Sequence, residues 1–411
     1  MTSILFIAIS TLSASAQFSI ADDTEADVKD VRVRMEVSIP EPENNEAKPD
    51  VFIAGNIKPL GRWRPDGLKL ERDGDGVYRA EFSVPPETRV EFKATMGTWQ
   101  SVEKAGDGRD IPNRQFAVKQ SADGLPQVIK ISVERWSSSD HNLKSSVTGK
   151  LILHEQVASQ HLTRLRNVSV WLPPGYDASD ERYPVLYLHD GQNLFDAATA
   201  AFGVEWQVDE TATRLVKAEE IPAVIIVGIW NTSDRIDEYT LTKDRRLERG
   251  GRGLDYIQFL SEELKPFIDR TYRTQTEPEF TLIGGSSLGG LISLHACIKK
   301  PDVFGACLAF SPSLGWDDER LLKSLQSDTT WPDKVRLWFS MGALEGSDIK
   351  SHAANLGRAH QLRDLLKPAQ ADTTVPFHFD EFEKGTHDEK SWALQFGVGL
   401  KSVLGTPIPA R

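Results

Sequence analysis

The segment Gly284-Gly285-Ser286-Ser287-Leu288-Gly289-Gly290 constrains the fold of this chain more than any other. It follows the apolar run Phe280-Thr281-Leu282-Ile283 and precedes the helix-like Leu291-Ile292-Ser293-Leu294-His295. Read as Gly-x-Ser-x-Gly, it puts Ser287 on a sharp strand-to-helix turn that a side chain at Gly285 or Gly289 would obstruct. Strands that feed directly into helices belong to a parallel α/β sheet. The turn also lifts a hydroxyl toward a base and toward backbone N–H donors, which is what makes a serine a competent nucleophile. A plain strand-helix turn is the competing reading, but the strand before and the helix after supply the context that the chemical reading requires.

A nucleophilic serine needs a base, and the base an orienting carboxylate. Val335 to Ser340 reads as a buried strand running into Met341-Gly342-Ala343-Leu344-Glu345-Gly346, which makes Glu345 the first carboxylate past its end, with Asp348 the fallback. Pro376 to Phe382 reads as a further strand and leads through Gly385-Thr386 to His387, ahead of a final helix at Trp392. Among nine histidines, His378 and His295 fall inside elements and read as packing residues, and His352 and His360 sit in a polar helical stretch. His387 has both the loop position and the chain order Ser, acid, His. Ligands gather at the carboxyl ends of parallel strands, so three residues just past strand ends can meet at one site.

A fourth loop carries chemistry. Tyr183 to Leu188 is an apolar strand that ends in His189-Asp190-Gly191-Gln192-Asn193. Gly191 permits a close backbone approach, so the N–H of Gln192 or its neighbour and that of Leu288 are expected to form an oxyanion hole. Two cysteines, with no His-x-x-x-His or paired-Asp motif, give little support to a metal, and no cofactor is expected. Cys297 and Cys307 read as free buried thiols.

The pattern changes partway along the chain. Short β-like runs (Val31 to Ser38, Val51 to Ala54, Val77 to Val84, Arg89 to Thr95, Val128 to Val133) predict a small all-β immunoglobulin-like sandwich over residues 30–135. A Ser-rich polar linker over 136–150 follows. From 151 to 405 strands alternate with helical stretches such as Leu254 to Asp269 and Asn355 to Leu366, the signature of an α/β domain.

The second domain resembles the esterase D-like branch of the α/β-hydrolases, the Putative esterase family. The likeness rests on Val168-Ser169-Val170-Trp171-Leu172-Pro173-Pro174-Gly175-Tyr176, the His189 to Asn193 loop, Arg270 to Thr274, the Ser287 turn, Ser311-Pro312-Ser313, Gly342 to Gly346 and Gly385-Thr386-His387. The resemblance implies an α/β-hydrolase fold with Ser287 as nucleophile, His387 as general base and then acid, and Glu345 as orienting acid. Trp206 and Trp230 are candidate walls of an acyl or sugar pocket, with core packing the alternative. The first domain is similar to starch-binding carbohydrate-binding modules through Val51 to Asn56, Leu60-Gly61-Arg62-Trp63, Val90 to Ala94 and Asn113 to Phe116. That likeness implies that Trp63 stacks on a sugar ring while Lys93 and Asn113 bond its hydroxyls, with Trp99 a second aromatic and a structural cover the alternative role.

Ile4 to Ser10 is an apolar run too short to span a bilayer, and Ala14-Ser15-Ala16 is an Ala-x-Ala cleavage pattern. Residues 1–16 therefore read as a signal peptide, and a secreted or periplasmic location is expected. A net charge of −12 disfavours nucleic acid and anionic membrane as partners. The basic loop Lys243 to Gly253 reads as solvated, or as steering an anionic substrate. The expected substrate is a small acyl ester or an acylated polysaccharide, with α-glucan binding by the first domain. Alternatives are a siderophore esterase, an acyltransferase, and a glycan-binding protein whose hydrolase domain is vestigial.

Overall fold

Alternation along Val31–Ser38 turns Val31, Val33, Met35 and Val37 inward and charged neighbours outward, which is the behaviour of a strand with one wet face. A computed structural model describes residues 30–40, 48–108, 111–120, 124–137, 145–200, 203–327, 329–346, 348–370 and 377–405. The proposed signal peptide and the centre of the proposed linker lie outside the described residues.

Seven strands make the first sheet, in the order 114–117, 89–95, 51–55, 68–72, 78–84, 31–38, 127–132. All its pairs are antiparallel except 31–38 with 127–132. Only two residue pairs, Glu71↔Arg79 and Arg72↔Tyr78, join 68–72 to 78–84. The halves on either side of that junction face one another across a shared core of Val33, Met35, Val51, Ile53, Leu70 and Phe92. Leu68–Arg72 escaped the sequence reading because Leu70 is its one fully buried residue and three of its five residues are charged.

The second sheet has eight strands in the order 150–157, 166–172, 225–229, 185–189, 281–286, 306–310, 336–342, 377–382. The first two run antiparallel and the rest are parallel. Val185–His189, Ile225–Ile229, Thr281–Ser286, Ala306–Phe310 and Arg336–Gly342 are buried throughout, which is why each reads as a continuous apolar run. Two apolar layers cover the sheet. One contains Tyr256, Phe259, Leu291 and Ile292; the other contains Trp206, Trp338, Trp392 and Phe396. The expected helix over Leu254 to Asp269 is a helical run from Gly253 to Thr271 with π geometry across Phe259–Leu264.

Because the strands are parallel, the turns after 185–189, 281–286, 306–310, 336–342 and 377–382 all emerge at the same edge. That edge holds Gln192, Ser287, Ser311, Glu345 and His387. His378, expected to be a packing residue, is instead exposed, since its strand is the last in the sheet. Cys297 and Cys307 are free and buried, and burial pushes the Cys307 thiol well above its ordinary pKa. Among the described residues, no helix is long and apolar enough to cross a membrane.

Candidate active site

Ser287 has φ 56° and ψ −123°, a left-handed backbone that an L-residue adopts only when its surroundings impose it. The constraints are visible: its N–H donates to Phe310 O at 3.0 Å, and its carbonyl accepts from Ser313 N–H at 3.0 Å and Leu291 N–H at 3.1 Å. A Cβ on Gly285 would lie 3.0 Å from the Cβ and Cδ2 of His189, so the strand cannot carry a side chain there without displacing its neighbour. Ser287 Oγ is 3.2 Å from Ser313 Oγ and 3.0 Å from His387 Nε2.

His387 Nδ1 lies 2.8 Å from Glu345 Oε2. A carboxylate can only accept, so this contact assigns the proton to Nδ1 and leaves Nε2 free to accept from the serine hydroxyl. Glu345 is 1% exposed, and its Oε1 accepts from Gly342 N–H at 2.7 Å and from the Ser311 hydroxyl. Ser311 in turn accepts from Trp392 Nε1–H at 3.0 Å, and the Trp392 ring meets His387 edge-on at 5.1 Å. Backbone bonds Ala343 N–H to Phe382 O and Leu344 N–H to Gly385 O, both 2.9 Å, tie the loop of Glu345 to the loop of His387. Asp348, the alternative acid, instead caps the helix Ile349–Gln370 by accepting from Lys350 and Ser351 N–H at 3.0 and 2.9 Å.

Ser287 and His387 open into a cleft of about 430 Å³ that Gln192 and Leu288 also line. A Cβ on Gly191 would lie 2.3 Å from the carbonyl carbon of Gly228, so only glycine brings the Gln192 turn this close to the neighbouring strand. Gln192 is held at both ends: its carbonyl accepts from Thr199 Oγ1 at 2.8 Å, and its Oε1 from Asn231 N–H at 3.2 Å. A second cavity of about 380 Å³, lined by Ser313, Arg246, Arg358 and Glu345, also reaches His387.

Asp190, Arg235 and Asn231 form part of the cleft wall, and the sequence reading passed over the last two. Arg235 donates to both oxygens of Asp190, at 2.8 and 2.7 Å, and Asn231 Nδ2–H adds a bond of 2.6 Å. Burial opposes the charge of Asp190, but the guanidinium outweighs it and holds the carboxyl below its ordinary pKa. His189, beside it, is driven down to about 3 chiefly by burial and stays neutral, with Nδ1 3.0 Å from Tyr256 OH. Ser311 was also missed as a site residue, although it lies just past a strand end in the Ser311-Pro312-Ser313 stretch; the strand-end rule applied to Glu345 reaches it as well.

The tryptophans separate. Trp206 is 2% exposed and packs between Phe310 and Trp392 at 5.2 and 5.6 Å, with one edge on the cleft. Trp230, expected beside it, is not among the cleft residues. Its indole N–H donates to Ser169 Oγ at 2.8 Å on the neighbouring strand Arg166–Leu172, and that bond turns it away. Trp63, Lys93, Trp99 and Asn113 of the first domain line the same cleft as Ser287 and His387. Among the described residues, one carboxylate group, Glu205, Asp209 and Glu210, brings possible ligand atoms within 4.8 Å of one another. Burial, with Glu210 adjacent, raises the Asp209 pKa to about 8, so this group holds a proton at neutral pH.

Comparison with known proteins bears on both domains. Residues 159–403 match the family model described as "Putative esterase", and residues 30–127 match that of the starch binding domain. The uncharacterized protein YbbA of Bacillus subtilis is 27% identical over 257 residues, covering 60% of this chain and 96% of its own. The iron(III) salmochelin esterase of Escherichia coli O6:H1 is 25% identical over 353 residues, covering 81% of this chain and 76% of its own. The enterobactin esterase of Shigella flexneri, solved in the presence of enterobactin, superposes with a TM-score of 0.50 at 16% identity over 94% of each chain, a likeness of fold.

Proposed function

Because this chain belongs to the Putative esterase family, we propose that it hydrolyses acyl esters of sugars or glycosides outside the cytoplasm, with Ser287, His387 and Glu345 as its catalytic residues. The observation that carries this reading is the unbroken chain of hydrogen bonds from Ser287 Oγ through His387 to the buried Glu345, at 3.0 and 2.8 Å, opening on the cleft. Ser287 Oγ attacks the ester carbonyl carbon as His387 Nε2 takes its proton; Glu345 stabilises the imidazolium that results. The N–H groups of Leu288 and Gln192 bind the oxyanion. The tetrahedral adduct collapses, the C–O bond to the alcohol breaks, and His387 returns its proton to the departing oxygen. Water, activated by the same histidine, then attacks the acyl-enzyme and releases the acid.

A second reading, hydrolysis of a siderophore ester, is favoured by the salmochelin esterase, whose match spans 81% of this chain and so extends across both domains. Transfer of the acyl group to a sugar would use the same acyl-enzyme. The testing experiment is turnover of p-nitrophenyl acetate, an acetylated glucoside and a ferric catecholate lactone by the wild type and Ser287→Ala. Loss of several orders of magnitude in the variant is expected. Turnover indifferent to the substitution would overturn the assignment. Among active outcomes, lactone turnover without glucoside turnover selects the siderophore reading, and acyl sugar formed from an added acceptor selects transfer.

A further inference from the structure

The first domain is positioned as though it were part of the active site. Trp63, Trp99, Lys93 and Asn113, which the sequence likeness marks as sugar contacts, face the cleft that holds Ser287 and His387. We propose that this face is the far wall of the catalytic cleft, so that the substrate is a compact sugar ester gripped by both domains at once, not a polymer anchored at a distance. The proposal rests on the esterase reading above and names its substrate class.

The two indoles are built as a ring platform. Their centroids are 6.5 Å apart and their planes inclined by 38°, and both side chains are only partly buried. A splayed pair of this kind offers two flat apolar faces to the C–H side of a ring, the part of a pyranose that gains from leaving water. Polar groups surround it: Lys93 and Asn113 on the first domain, Asn231 and the Asp190–Arg235 pair on the second. Arg235 is matched by Asp190, and the other two charged side chains of the lining, Lys93 and Glu389, are opposite in sign, so the acidic and basic side chains of the wall balance. That pattern suits a neutral polyhydroxyl ring better than an anionic one. A cleft of about 430 Å³ is also the size of a small ligand site.

The second domain braces the Trp63 half of the platform. Gly61, Arg62 and Trp63 are all left-handed, at φ 75°, 49° and 64°, a run that non-glycine residues seldom adopt. Backbone bonds within the first domain, Arg62 N–H to Ile57 O at 3.2 Å and Trp63 N–H to Gly55 O at 2.7 Å, set that run, and contacts from the hydrolase domain brace it. Arg249 Nη1–H donates to Arg62 O at 3.1 Å, and the Arg62 guanidinium pairs with Glu248. Arg249 is itself buried and clamped by Asp237 at 2.6 Å and by Ser233 O at 3.2 Å. The basic loop, read from sequence as solvated, therefore braces the turn that presents Trp63, and Glu248 is a positioning residue.

The test compares two esters of the same acid, methyl 6-O-acetylglucopyranoside and ethyl acetate, by acetate release from the full chain. The wild type is expected to favour the glucoside in kcat/KM. Trp63→Ala and Trp99→Ala should each lower that preference by about tenfold or more, as truncating an indole anchor does. Glu248→Ala, at a side chain 54% exposed, should raise KM for the glucoside while kcat holds. A wild type that prefers ethyl acetate, or a preference untouched by both tryptophan variants, overturns the proposal. So does retention on starch gels that Trp63→Ala abolishes while the glucoside preference stays, since that is a remote anchor. Failure of the esterase reading shows separately, as ethyl acetate turnover that survives Ser287→Ala.

Discussion

Replacing Glu345 with Gln removes one charge and two lone-pair directions while keeping the shape of the side chain. In the native site Oε1 receives Gly342 N–H at 2.7 Å and the Ser311 hydroxyl, and Oε2 receives His387 Nδ1–H at 2.8 Å. Glutamine has one oxygen to offer. Ser311 can rotate its hydroxyl to suit either orientation, but the backbone N–H of Gly342 can only donate. The amide oxygen is therefore drawn to Gly342 and the NH₂ group faces His387. The imidazole must then accept at Nδ1 and carry its proton on Nε2, where it cannot take one from Ser287. The opposite orientation keeps the working tautomer but leaves Gly342 N–H buried and unpaired, at a cost of about 1–3 kcal/mol, which limits it to about 1–15% of molecules. Loss of the carboxylate charge lowers activity further, so kcat should fall by between about 10² and 10⁴, the upper figure equal to about 5 kcal/mol of barrier. The assay is steady-state hydrolysis of p-nitrophenyl acetate, with thermal unfolding to verify that the variant is folded. A folded variant within tenfold of wild type would refute the assignment of Glu345 and the orientation argument together.

Two further expectations follow from buried charge. Arg235→Leu strands Asp190, which is 6% exposed, without its cation and should destabilise the fold by about 3–5 kcal/mol in urea unfolding. Asp190→Asn in the same chain should recover most of that loss; a double variant as unstable as the single would show that the damage lies elsewhere. Asp209 has a folded pKa of about 8 against an ordinary 3.8. A raised carboxyl pKa means the folded state retains a proton that the unfolded state releases, so its contribution is complete below about pH 4 and is lost as pH rises toward 8. Glu205, also raised, chiefly by burial, adds with the same sign. Asp209→Asn, which cannot ionise, should therefore gain in relative unfolding midpoint between pH 5 and pH 9; parallel pH profiles would contradict the raised pKa.

Local pattern and chain order are enough to specify several parts of this protein. Glycines on either side of Ser287, buried apolar strands leading to Gln192 and Glu345, an edge strand leading to His387, and a change of periodicity near residue 135 all follow from short-range sterics and burial, which a linear reading can follow. Tertiary structure decided whatever depends on distant segments meeting. Trp206 and Trp230 looked equivalent from their flanks, yet a bond to Ser169, 61 residues away, takes Trp230 out of the cleft. Arg235 reads as an unremarkable helical arginine until the fold sets it against Asp190, 45 residues earlier. Above all, no pattern between residues 30 and 135 says that Trp63 and Trp99 face Ser287. Trp63 stands on a left-handed turn that Glu248 and Arg249 brace from nearly two hundred residues further on. Local sterics select each element, but which faces meet is settled by long-range packing, and this cleft exists only where two domains meet.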